Sequence, residues 1–215
     1  MPLLAPADQE KLRASFDEMT APVRLLFFTQ TFDCDTCGQT REILDELPPL
    51  SDKITIEEVN VVLEKDKAAQ YGIDRVPTIA LVGAESDSRI RFLGTPAGYE
   101  FISLVQAVLL VGGAASSLTA ENLARVAAVD KAMTIKVFTT PTSPHCPRAV
   151  SLAHEMAFAN PLITAFAVEA TEFPDLARRY RVNGVPKTVV NEEIEILGGL
   201  PQDAFVQQAL STLKD

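Results

Sequence analysis

Cys34-Asp35-Thr36-Cys37 decides the fold, because a second stretch, Ser143-Pro144-His145-Cys146, repeats its setting in the same chain. The first follows the apolar run Val23 to Phe28, broken only by Arg24, and precedes a helical stretch from Gln39 to Leu47. The second follows Ile135 to Phe138 and precedes the helical stretch Ala149 to Ala159. A Val-Pro pair trails each: positions 37 to 77 and 146 to 186 both span 40 residues, ending at Val76-Pro77 and Val185-Pro186. Ala68 to Pro77 aligns without a gap on Ala177 to Pro186, and Leu93-Gly94-Thr95-Pro96 matches Gly198-Gly199-Leu200-Pro201. A period near 109 residues is a domain duplication rather than a solenoid repeat.

Hydrophobic periodicity predicts the elements of each half. In the first, Asp8 to Met19 reads as an amphipathic helix, Val23 to Thr29 as a strand, and the next helix starts at the CxxC. A strand over Ile54 to Val62, a short charged helix over Leu63 to Tyr71 and a hairpin of Thr78–Val82 with Arg89–Leu93 follow, closed by a helix from Ala97 to Val111. Gly112 to Ser117 is small and reads as a flexible joint. The programme then restarts. Thr119 caps a helix to Val129, Ile135 to Phe138 is a strand, and the Ser143–Cys146 stretch opens a helix. Ile163 to Val168 is a strand and Asp175 to Tyr180 a short helix. Thr188–Val190 and Ile194–Leu197 form a hairpin, and Pro201 starts the last helix. The class is α/β, with units at 1–113 and 114–215, each a mixed central sheet flanked by helices.

A chain of 215 residues with 47% apolar content can bury a substantial core. A net charge of -10 argues against nucleic acid and anionic membranes, which recruit Lys/Arg patches. The N-terminal residues carry no basic, apolar secretory signal, so the expected location is the cytoplasm. Three cysteines in that setting point to redox or metal chemistry rather than a disulfide framework. Zinc is the competing reading of Cys34 and Cys37, but a closed zinc site needs four ligands, and only His145, Cys146 and His154 remain, more than a hundred residues away. We expect no metal and no bound cofactor. His154, on the outer part of its helix, is expected at the surface.

Each half resembles a thioredoxin-fold unit, and the whole chain resembles the tandem protein disulfide oxidoreductases also called glutaredoxin-like. It is similar, too, to the N-terminal domain of flavin-dependent alkyl hydroperoxide reductases. Thr142-Ser143-Pro144-His145-Cys146-Pro147 looks like the tandem family's second-unit motif with serine where cysteine would stand. The resemblance implies thiol–disulfide exchange at Cys34 and Cys37. It also implies a cis proline at Pro77, and a substrate-binding surface formed by Asp35, Thr36, Val76 and Pro77. Electrons would come from a thioredoxin-reductase-type flavoprotein and pass to protein disulfides or a peroxiredoxin.

The chemistry of the residues agrees. Exchange needs one ionised, accessible thiol and a second within reach. A cysteine at a helix N-terminus has its pKa lowered from about 8.5 into a range of roughly 3.5–7.5. Cys34 is therefore the expected nucleophile and Cys37, one turn deeper, the resolving thiol. Asp33 and Asp35 flank Cys34 and either oppose its ionisation, giving a more reducing pair, or simply sit solvated in the loop. Unlike ordinary thioredoxins, the chain has no Trp before the site and no acid six residues before Cys34, which leaves the proton acceptor for Cys37 open.

The second site is expected to be degenerate: Ser143 stands at the nucleophile position, and a hydroxyl does not exchange with disulfides. Pro144, His145, Cys146, Val185 and Pro186 would otherwise match a working site. Either this half is a natural scaffold or Ser143 is an introduced Cys-to-Ser change. The rival reading for the whole chain is a non-catalytic adaptor, a chaperone-like binding module or an electron shuttle to a peroxiredoxin.

Overall fold

The computed structural model describes residues 2–213. Eight strands form a single mixed sheet in the order β2-β1-β3-β4-β6-β5-β7-β8. In chain order the elements are α1 (Pro6–Phe16), β1 (Val23–Thr29), α2 (Cys37–Asp45), β2 (Ile54–Asn60), α3 (Lys65–Gln70), β3 (Thr78–Val82), β4 (Asp87–Leu93) and α4 (Glu100–Val111). The second half repeats them: α5 (Ala120–Ala127), β5 (Met133–Thr139), α6 (Cys146–Ala159), β6 (Ile163–Glu169), α7 (Pro174–Arg179), β7 (Lys187–Val190), β8 (Ile194–Leu197) and α8 (Gln202–Ala209). Thr119 caps α5 as its sequence position predicts, its side chain accepting from the Asn122 amide. Among the described residues no helix is long and apolar enough to cross a membrane.

Within each half the first strand lies between a parallel and an antiparallel neighbour: β2 and β3 around β1, β6 and β7 around β5. Alternation along β1 divides the sheet into two faces. Leu25 and Phe27 join a core with residues of α1, α2, α4, α5, α6 and α8, whereas Leu26 and Phe28 face Ala68 of α3. In the second half Phe138 and Val168 pack with Leu176 of α7 on that same opposite side. Both faces of β1 are covered, which is why its sequence is a nearly continuous apolar run.

The halves do not keep separate sheets. β4 pairs in parallel with β6, with Ile90 opposite Ala165 and Leu93 opposite Val168. Arg89 ties the seam by donating to the carbonyls of Ile163 (3.1 Å) and Ala157 (2.7 Å).

This fusion corrects two expectations. His154 is buried, 2% exposed, rather than on the surface. Helix α6 has sheet on one side and α4 beside it, so the side of the helix that would face water in an isolated unit meets the other half. The His154 ring packs edge-on against Phe92 with centroids 4.9 Å apart, and its Nε2 lies 3.3 Å from the Arg91 carbonyl.

The segment Gly112 to Ser117 is likewise not a free joint. The Glu155 carboxylate accepts from Ser116 Oγ (2.7 Å), Ser117 N (2.8 Å), Ser117 Oγ (2.8 Å) and Leu118 N (3.1 Å). The Gly112 carbonyl accepts from Thr20 N at 2.9 Å. Gly113 has φ +112°, and a Cβ there would sit 2.2 Å from Thr20 Oγ1, so only glycine fits that approach.

Burial pushes the His154 imidazole down to about 3 from its ordinary value near 6.5. The folded state therefore takes up no proton at His154 over the range where the unfolded chain does. Stability is intact above about pH 6.5 and falls as pH drops toward 3. Replacing His154 with Leu should flatten urea-unfolding stability between pH 7 and pH 4.5 by up to one proton's worth, ~1.4 kcal/mol per pH unit. An unchanged pH slope in the variant would show that His154 does not titrate on unfolding.

Candidate functional site

The site forms at the ends of β1 and β3. The ladder places Phe28 opposite Thr78, so Pro77, which immediately precedes Thr78, lies at the strand end from which the chain leaves for Cys34. Val76-Pro77 is a cis peptide, and the Pro77 carbonyl accepts from Gly94 N at 2.9 Å. The second half reproduces this with Phe138 opposite Lys187, a cis Val185-Pro186 bond, and Gly198 N donating to the Pro186 carbonyl at 2.9 Å.

Cys34 and Cys37 form a disulfide, their Cα atoms 5.5 Å apart. Helix α2 starts at Cys37 with Thr36 as its N-cap residue, so Cys34 sits in the turn ahead of the helix rather than on its first turn. The amides of the first turn remain free of intrahelical partners and still favour negative charge in front of them. Cys34 is half-buried, Cys37 is 7% exposed, and Asp33 and Asp35 are both exposed. Asp33 takes a left-handed φ of +57°, a conformation that Asp tolerates better than most residues and that turns the chain before Cys34.

The turn is braced by hydroxyls. Thr40 Oγ1 donates to the Thr36 carbonyl (2.9 Å) and lies 2.8 Å from Thr95 Oγ1, joining α2 to the loop after β4. Glu172, from the loop after β6 in the other half, accepts from Thr36 Oγ1 at 2.7 Å and from Thr95 N at 2.8 Å.

At the second site Ser143 is partly exposed, Pro144 and His145 are exposed, and Cys146 is fully buried as the first residue of α6. Burial raises the Cys146 thiol pKa, the Ser143 hydroxyl and the Thr140 backbone lower it in part, and the nearby charge of Glu100 raises it further. Glu100, in the first turn of α4, is 2% exposed, and both its oxygens are buried without a hydrogen-bond partner. That burial pushes its carboxyl up to about 7.

Each half therefore sends a carboxylate toward the other's site. Sequence reading missed both. Glu100 looks like an ordinary first-turn helix acid and Glu172 like a loop acid, and the internal repeat puts Phe205 opposite the first and Leu63 opposite the second. Among the described residues no group of three or more His, Cys, Asp or Glu side chains is placed to hold a metal ion.

This architecture and the Cys34–Cys37 pair are those of a tandem thioredoxin-fold protein that resembles thiol–disulfide oxidoreductases. Residues 133–211, which include Ser143 and Cys146, match a thioredoxin domain family (Thioredoxin_3). The N-terminal domain of the alkyl hydroperoxide reductase AhpF from Enterococcus faecalis superposes with a TM-score of 0.89 at 29% identity, covering 95% of this chain and 98% of that one. A protein disulfide oxidoreductase from Aeropyrum pernix K1 does so equally well, with a TM-score of 0.89, 28% identity, and 97% and 93% coverage. In sequence, the corresponding alkyl hydroperoxide reductase of Pseudomonas putida is 27% identical over 214 residues, or 94% of this chain and 38% of that protein. The chain spans about a third of the length of such curated relatives. Both resemblances read from the sequence thus hold.

After reduction, a short iodoacetamide pulse near neutral pH should label Cys34 first, with Cys37 slower and Cys146 modified only on unfolding. Peptide mass spectrometry checks the order. Faster labelling of Cys37 or Cys146 would contradict the accessibility argument.

Proposed function

We propose that this chain is a protein-disulfide oxidoreductase that cycles Cys34 and Cys37 between dithiol and disulfide. The supporting observation is the oxidised pair itself, with the more accessible sulfur outermost and Val76-Pro77 at the adjoining strand end. In the reductive direction the Cys34 thiolate attacks one sulfur of a substrate disulfide, forming a mixed disulfide and releasing the other substrate sulfur as a thiolate, which takes up a proton. Cys37 then gives up its proton and attacks Cys34 Sγ. The second substrate sulfur leaves, and the Cys34–Cys37 disulfide stores the two electrons' worth of oxidation. A dithiol on a thioredoxin-reductase-type flavoprotein reverses that state. Asp35, Thr36, Val76 and Pro77 form the surface against which the substrate lies.

Residues 1–113 are the working unit and 114–215 a unit whose site is inert because Ser143 replaces the nucleophile. The reaction needs no bound metal or flavin, and the cytoplasm is the compartment in which a reducing dithiol of this kind would operate. Similarity to a domain of alkyl hydroperoxide reductase favours one second reading, an electron shuttle that hands electrons to a peroxiredoxin.

Insulin reduction with dithiothreitol separates catalysis from adaptor function. The parent chain should accelerate precipitation, Cys34→Ser should abolish it, and Cys37→Ser should accumulate mixed disulfides. An adaptor would give no acceleration.

Ser143→Cys should add a second dithiol with Cys146. Pro144 and His145 between the two should make it more oxidising than the first, since a histidine beside a thiolate stabilises the reduced form. Two resolved redox transitions are expected where the parent shows one; a single unchanged transition would mean that Ser143 is not the sole defect.

A further inference from the structure

Glu172 belongs to the second half by sequence and to the first half's redox site by position. Its two carboxylate oxygens are used separately: one accepts from Thr36 Oγ1 at 2.7 Å, the other from Thr95 N at 2.8 Å. Thr36 is the residue directly before Cys37 and holds the N-cap position of its helix without a side-chain cap bond, and Thr95 is bonded to Thr40 of that helix. The carboxylate is thus fixed one hydrogen bond from the segment between the two cysteines.

The chain backbone is shaped to admit it. Gly94 takes φ +94°, and a Cβ there would come within 2.7 Å of Glu169 Cβ and 3.2 Å of Glu172 Oε2. No side chain larger than hydrogen fits between β4 and this loop. Among the described residues no cation pairs with Glu172. The neighbouring charges are accounted for: Asp175 is paired with Arg75 at 2.7 Å, and Glu169 is bonded to Thr171 and to the Glu172 amide. Asp33 and Asp35, the other acids of the turn, are exposed and screened by solvent.

We propose that Glu172 is a positioning residue that makes the Cys34/Cys37 couple more reducing, acting from the opposite half of the molecule. Two effects run in the same direction. Its half-buried negative charge opposes the Cys34 thiolate, which destabilises the reduced, ionised form. Its bond also holds the Thr36 hydroxyl proton, so that this hydroxyl cannot turn to stabilise a thiolate. The inference rests on the reading of Cys34 and Cys37 as a redox couple, but it concerns the position of their equilibrium, which exists whatever the substrate is.

The test is the dithiol–disulfide equilibrium constant of the full chain, read in a glutathione redox buffer at pH 7 by counting alkylated Cys34 and Cys37. Glu172→Gln keeps the shape and can still satisfy Thr95 N while losing the charge. It should shift the equilibrium about tenfold toward the dithiol, which is ~30 mV for a two-electron couple. Thr36→Val, which keeps the charge and removes a hydroxyl that the carboxylate already holds, should leave the constant within about twofold of the parent.

A Glu172→Gln constant within twofold of the parent, or shifted toward the disulfide, would overturn the proposal. So would a shift from Thr36→Val larger than that from Glu172→Gln, since Thr36 would then act without the carboxylate. Far-UV circular dichroism of each variant confirms the fold being titrated. If the shifts occur but insulin is not reduced, the protein-disulfide substrate reading fails while the role of Glu172 stands.

Discussion

The parallel pairing of β4 with β6 is the contact on which the rest of the molecule depends. Four residue pairs, Ile90–Ala165 to Leu93–Val168, convert two four-stranded half-sheets into one sheet of eight. Edge strands left unpaired are liable to aggregation, and the seam removes one from each half. It also merges what would be two small cores into one, which contains side chains of six helices on the same face. Fully burying an aliphatic or aromatic side chain contributes roughly 1.5–3 kcal/mol, so a shared core stabilises both halves more than either could alone.

The seam explains features that look unrelated. It buries His154, brings Arg89 to the Ala157 and Ile163 carbonyls, and puts Glu155 where it can hold the joint between the halves. It also brings acids of one half to the other's site: Glu172 bonds Thr36, and the charge of Glu100 at the start of α4 acts on the Cys146 thiol. A single unit would lack the carboxylate beside its own site. The surroundings of the Cys34–Cys37 turn thus include a carboxylate from the second half, and the sheet and core require both halves whatever the chemistry at Ser143 and Cys146.

Much of this was legible in sequence. The repeat of a cysteine-bearing turn and a Val-Pro pair at equal spacing gave the architecture of both halves, and β1 and β3 have the expected boundaries because their apolar runs end at clear turn residues. What was hidden depended on tertiary contacts and backbone choices that no local pattern announces. No local pattern distinguishes His154 from a solvent-facing helix residue, because the face it occupies is covered by a strand far away in the chain. Glycine and serine at 112–117 read as flexible, yet Gly113 is there for close approach to Thr20 and the serines for Glu155. The start of α2 at Cys37 rather than Cys34 follows from the left-handed Asp33, a backbone choice that composition does not announce.

The central claim is that one two-electron couple, Cys34/Cys37, operates in a chain whose third cysteine is inert. Counting thiols in denaturant after equilibration across a series of dithiothreitol redox buffers tests it most directly. With three cysteines, one of them free and buried, the count should rise from one to three per chain in a single two-electron transition. A count that stayed at three under oxidising conditions, or a transition that consumed Cys146, would contradict it.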